Sequence, residues 1–112
     1  MNDTVHCTDL VEGNGKAVVK GAQITTHYTG WLADGTEFDS SASRGKPFQC
    51  VIGTGRVIKG WDLGLMGMRV GGKRRLQVPA ALGYGERSVG RIPAHSDLTF
   101  EIELLEVLTR DD

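Results

Sequence analysis

Residues 97–104 read DLTFEIEL, and the fold follows from how that stretch is read. Leu98, Phe100, Ile102 and Leu104 alternate with Asp97, Thr99, Glu101 and Glu103. Successive side chains of a strand point to opposite faces, so a period of two describes a strand with one face in a core and the other in water. Weaker alternation recurs in AQITTHYTG (22–30), FQCVIG (48–53) and KRRLQVP (73–79). In the last of these Arg74, Leu76 and Val78 share one face, opposite Lys73, Arg75 and Gln77. Between Trp31-Leu32 and Phe38, the stretch Ala33-Asp34-Gly35-Thr36 carries an Asp-Gly pair. That pair suits a tight hairpin turn, because glycine reaches positive φ at little cost. Strands joined in this way predict an antiparallel meander.

Only residues 57–66 carry a helical pattern, with Ile58, Trp61 and Leu65 spaced three and four apart on one stripe. Gly60 and Gly64 lie inside it, and each costs up to ~1 kcal/mol relative to alanine. A helix this short and glycine-rich persists only by packing, which predicts that Trp61 and Leu65 press onto the inner face of the sheet. The fold class is therefore α+β: a curved antiparallel sheet wrapped around one short α-helix. A chain of 112 residues supports one core, and the expectation is a single domain over 1–112.

Net charge is -1, which gives no global positive field to draw the chain onto nucleic acid or anionic lipid. No segment approaches the ~18 apolar residues of a membrane span. The start, MNDTVHCTDL, has no basic region followed by an apolar run. Cys7 and Cys50 read as small hydrophobes in a reducing compartment. The expectation is a monomer in the cytoplasm.

Several local patterns are decoys. GTGRVIKG (53–60) has Ile58 where a dinucleotide fingerprint needs its third glycine, and Gly72-Lys73 is followed by Arg74 rather than Ser or Thr. The basic run GGKRR (71–75) reads as a solvated sheet face. His6-Cys7, His27 and His95 have no metal-ligand spacing. Asp39-Ser40-Ser41 places hydroxyls beside a carboxylate, which leaves a hydrolase using Ser40 or Ser41 as a third-ranked reading.

The segments HYTGWLADGTEFDSS (27–41), GKPF (45–48), VIKGWDLGLMGMRVGGKRRL (57–76), LGYG (82–85), IPA (92–94) and LTFEIELLEV (98–107) occur in this order. On them the chain resembles the FKBP-type peptidyl-prolyl cis/trans isomerases, the immunophilin family that binds tacrolimus and rapamycin. The match runs from about Lys20 to the C-terminus. It implies five or six antiparallel strands curled around a short helix, in the minimal single-domain form found in bacteria. It also implies an isomerase that assists folding without a cofactor or metal. Its partners would be proline-containing segments of client proteins and tacrolimus- or rapamycin-like ligands.

Position by position, the resemblance implies a substrate pocket of Tyr28, Phe38, Arg44, Phe48, Val57, Ile92 and Phe100, with Trp61 as its floor. Asp39 would act electrostatically on the twisting carbonyl. The backbone N–H of Ile58 and the hydroxyl of Tyr84 would hold substrate carbonyls. Arg44 matches a family arginine able to pair with Asp39, so a purely structural ion pair is the competing reading of that carboxylate. Cys50 stands where the family commonly has an aromatic, and Arg91 where an apolar residue is usual. A noncatalytic module that captures proline-bearing partners in the same cup is the second functional reading.

Overall fold

The computed structural model describes residues 4–110; residues 1–3 and 111–112 of the expected 1–112 domain lie outside the described residues. The strands are β1 (His6–Val11), β2 (Gln23–Leu32), β3 (Glu37–Ser40), β4 (Phe48–Val51), β5 (Lys73–Val78) and β6 (Leu98–Leu108). Between β4 and β5 comes the helix α1 (Lys59–Gly64), and a 3₁₀ turn (Ala80–Leu82) follows β5. Every pairing is antiparallel. The result is the α+β architecture that the alternation and the single apolar stripe predict.

The strand order is β1-β5-β6-β2-β3, with β4 also on β2, and this corrects the expected meander. The last strand lies between β5 and β2. β2 and β6 are the longest strands, and they pair from Gln23↔Leu108 to Leu32↔Leu98. Placing them at the centre bonds the greatest length of apolar-faced backbone on both edges. β3 and β4 share the other edge of β2, pairing with Thr29–Trp31 and Gln23–Thr26 respectively. Residues 41–47 leave the sheet between them.

The alternation read over 97–104 is realised, with Leu98, Phe100, Ile102 and Leu104 all buried. The strand continues further by changing phase. Thr26 pairs with Leu104 but Thr25 pairs with Glu106, so Leu105 is an extra residue and Val107 returns to the core. β1 has no buried residue at all. It is held by its ladder to β5 rather than by an apolar face, so it has no period for the sequence to show.

The helix has no side-chain cap at Ile58. Arg74, on the core face of β5, donates to the carbonyls of Gly64 (2.9 Å) and Met66 (3.2 Å) at its other end. The same guanidinium pairs with Asp9 of β1 at 2.6 Å. A cation at a helix C-terminus satisfies orphan carbonyls and opposes the helix dipole. Asp62 works at the opposite end, accepting from the N–H groups of Gly53 (2.7 Å) and Gly55 (2.9 Å). This fixes the loop that leads into the helix.

The two helix glycines are explained by contact. A Cβ on Gly60 would lie 2.5 Å from Val78 Cγ1, and one on Gly64 would lie 2.9 Å from Leu76 Cδ2. The helix approaches β5 more closely than any side chain permits, which brings Trp61 and Leu65 into the core. Gly60→Ala should therefore destabilise the protein by about 1–3 kcal/mol, although alanine is the better helix former by ~1 kcal/mol. Urea unfolding followed by tryptophan fluorescence reads the sign; a higher midpoint in the variant would show that propensity outweighs the close approach.

Candidate active site

The side of the sheet that covers α1 opens into a cavity of about 290 Å³. Trp61 is 3% exposed and forms its floor. Three rings stand nearly perpendicular to the indole: Tyr28 from β2 (5.1 Å between centroids, 87°), Phe48 from β4 (5.8 Å, 85°) and Phe100 from β6 (5.6 Å, 88°). Edge-to-face contact sets the positive edge of one ring against the negative face of the other, so each of the three contacts is favourable. Phe38 of β3 meets Phe100 in the same way, at 5.7 Å and 87°.

Gly30 makes this cluster possible. It lies opposite Phe100 on one neighbouring strand and Asp39 on the other. A Cβ there would sit 2.5 Å from Phe38 Cζ and 3.0 Å from Phe100 Cε1. The Trp61 Nε1–H is buried with no acceptor among the described residues.

The rim is polar. The Tyr28 hydroxyl donates to Asp39 Oδ2 at 2.5 Å, and the Ser40 N–H donates to Asp39 Oδ1 at 2.8 Å. The Arg44 guanidinium pairs with the same carboxylate, donates to the Tyr28 hydroxyl at 3.1 Å and lies 5.7 Å from the centre of the Tyr28 ring. Burial pushes the Asp39 pKa up, but the Tyr28 hydroxyl, Arg44 and the Ser40 N–H outweigh it and hold the carboxyl below the usual carboxylate range. The Tyr28 phenol moves the other way, raised by burial and then by its bond to Asp39.

Of the residues named from the sequence, Tyr28, Phe38, Asp39, Phe48, Val57 and Ile58 border this one cavity, as do Trp61, Tyr84 and Phe100. Two are placed elsewhere. Ile92 is buried in the core and is not part of the cavity lining. Its N–H and C=O both bond to Val89 across the loop, which turns the side chain inward. Arg44 reaches the site through Asp39 and Tyr28 rather than lining the cavity. The Ile58 N–H has no hydrogen-bond partner among the described residues, while its carbonyl receives Trp61 and Asp62. Arg56 also lines the cavity and was not identified from sequence, although it immediately precedes Val57-Ile58.

Ser40 and Ser41 are buried. Ser41 Oγ lies 2.9 Å from His27 Nδ1, but it also accepts from the Tyr28 N–H at 2.8 Å. The hydroxyl thus fixes the turn after β3 and does not face the cavity. Among the described residues no cluster of His, Cys, Asp and Glu is placed to hold a metal ion, and no helix is long and apolar enough to cross a membrane.

A carboxyl whose pKa is lower in the folded chain contributes stability that is present above its unfolded pKa and lost as pH falls through the folded one. Between about pH 5 and pH 2.5 the urea midpoint of the wild type should therefore fall further than that of Asp39→Asn. Parallel curves for the two proteins would show that the Asp39 network contributes nothing to folding.

A family model described as FKBP-type peptidyl-prolyl cis-trans isomerase matches residues 14–105. The chain is 57% identical over 100 residues to the FK506-binding protein of Neisseria meningitidis serogroup A, covering 88% of this chain and 92% of that one. It is 53% identical over 94 residues to the human peptidyl-prolyl cis-trans isomerase FKBP2, covering 83% and 66% respectively. The crystal structure of AtFKBP13 matches with a TM-score of 0.85 at 45% identity, covering 93% of both chains. That of FkpA from Escherichia coli matches with a TM-score of 0.85 at 39% identity, covering 92% of this chain and 47% of that one. This agreement of sequence, fold and ring-lined cavity makes the chain a member of the FKBP-type peptidyl-prolyl cis-trans isomerases, enzymes that rotate the X-Pro peptide bond.

Proposed function

We propose that the cavity over Trp61 seats the pyrrolidine ring of an X-Pro segment and lowers the rotation barrier without any covalent intermediate. The observation that carries this reading is the geometry of the cup, an indole floor with upright rings around it and one carboxylate at its edge.

Rotation about the imide costs about 18–20 kcal/mol because it destroys amide resonance, and unaided exchange takes tens to hundreds of seconds. The planar imide is the more charge-separated form and is best solvated by water. Transfer into a cup walled by Tyr28, Phe38, Phe48 and Phe100 withholds that water and favours the twisted form, in which nitrogen regains its lone pair. The free N–H of Ile58 and the hydroxyl of Tyr84 hold the substrate carbonyls on either side. Asp39, kept ionised by Tyr28 and Arg44, presents a fixed negative charge to the twisting carbonyl carbon, an orientation that needs no rearrangement during the reaction. Millisecond turnover demands about 10⁵-fold acceleration, or ~7 kcal/mol, which desolvation and two or three fixed dipoles can supply.

The same cavity is proposed to take tacrolimus- and rapamycin-type macrolides, in keeping with the name FK506-binding protein carried by the Neisseria relative.

Magnetisation-exchange NMR on a Leu-Pro peptide tests the mechanism. Asp39→Ala should lower kcat/KM about tenfold, corresponding to ~1.4 kcal/mol of transition-state stabilisation. Tyr84→Phe should raise KM more than it lowers kcat, because it removes a carbonyl contact made throughout the reaction. A macrolide should abolish exchange competitively. Wild-type kcat/KM in both variants, or turnover that persists with the macrolide bound, would contradict the assignment.

A further inference from the structure

The proposed rotation chemistry leaves unused a set of positive charges around Phe48. Arg56 lines the cavity itself, and with Phe48, Val57 and Cys50 it also lines a neighbouring hollow of about 410 Å³. A third hollow of about 350 Å³ is bordered by Phe48, Arg44, Lys46 and Pro47. Phe48 is therefore the shared wall of all three.

The cations of this region differ in how they are occupied. Arg44 is committed to Asp39 and Tyr28. Arg56 and Lys46 are exposed, and neither the guanidinium nor the ammonium makes an ion pair or hydrogen bond among the described residues. On the sheet, by contrast, Arg74 is paired with Asp9, and Arg75 and Lys73 with Glu101. The nearby carboxylate of Asp62 has both oxygens occupied by the N–H groups of Gly53 and Gly55. Cys50 adds no charge, since burial and then Asp62 push its thiol up to about 11.

We propose that the two outer hollows receive the residues flanking the proline, and that Arg56 and Lys46 give the isomerase a preference for segments with an acidic residue beside it. This rests on the reading that the proline ring sits over Trp61. The Phe48 ring is centred 5.8 Å from that floor. An extended chain advances about 3.3–3.6 Å per residue, so Phe48 and the hollows beside it are within reach of a neighbour one or two positions from the proline. A carboxylate there meets an unpaired guanidinium or ammonium, and a lysine meets repulsion.

The test compares kcat/KM by exchange NMR for a Leu-Pro parent peptide and four relatives carrying Glu or Lys either immediately before or immediately after proline. Exposed ion pairs are individually weak, so the expected Glu-over-Lys ratio is about fivefold in at least one position. It should shrink toward one between about 20 mM and 0.5 M salt. In the double variant Arg56→Glu, Lys46→Glu the ratio should fall below one. Each ratio is taken within one protein sample, so a folding defect cancels. A parent peptide turned over with ratios near one in both positions, or a ratio unmoved by the double variant, overturns the charge preference and leaves the proposed function standing. Failure to turn over the parent peptide overturns both.

Discussion

A six-residue helix with no side-chain cap holds its place because it lies against β5 at a distance that only glycine permits. Gly60 faces Val78 and Gly64 faces Leu76. The closeness that costs helix propensity brings Trp61 beneath β2, β4 and β6, each of which contributes one ring to it. Arg74 then fastens the helix end to the sheet and, through Asp9, to the outer strand β1. One tight interface thus sets the height of the indole, and the height of the indole sets the depth of the cup.

Around that floor the protein separates two demands. The apolar walls come from strand positions whose register is fixed by the central β2–β6 pairing, so they are rigid. The carboxylate and its partners are gathered where the chain leaves the sheet between β3 and β4 and returns with Arg44. Asp39 would be costly in an apolar hollow if it were alone. Here three donors hold it ionised, so its charge is fixed in direction before any substrate arrives. The ion pair and the electrostatic role are therefore compatible, since the pairing orients the charge that the cavity displays.

The legible part of the fold was whatever repeats locally. β6 announced itself by strict alternation, the β2–β3 hairpin by Asp34-Gly35, and the helix by a stripe ending on Leu65. β1 was invisible because no residue of it is buried. The strand order was invisible too, because which strand lies beside β2 depends on pairings across some 75 positions that no period encodes. At the site, Trp61, Phe38 and Phe100 looked like core residues by pattern alone, and in burial Trp61 and Phe100 are. Their convergence on one hollow came from the family motifs. Ile92 was carried over by those motifs, yet loop hydrogen bonds turn it inward. Arg56 is not legible in the sequence, because a lone arginine before an apolar pair has no signature of its own.

The central claim is that the proline ring rests on the face of Trp61, and intermolecular NMR contacts read it directly. With a Leu-Pro peptide bound, the pyrrolidine protons should show cross-relaxation to the Trp61 indole protons and shift upfield under its ring current. Proline protons that shift little and contact residues outside the cup would contradict the account.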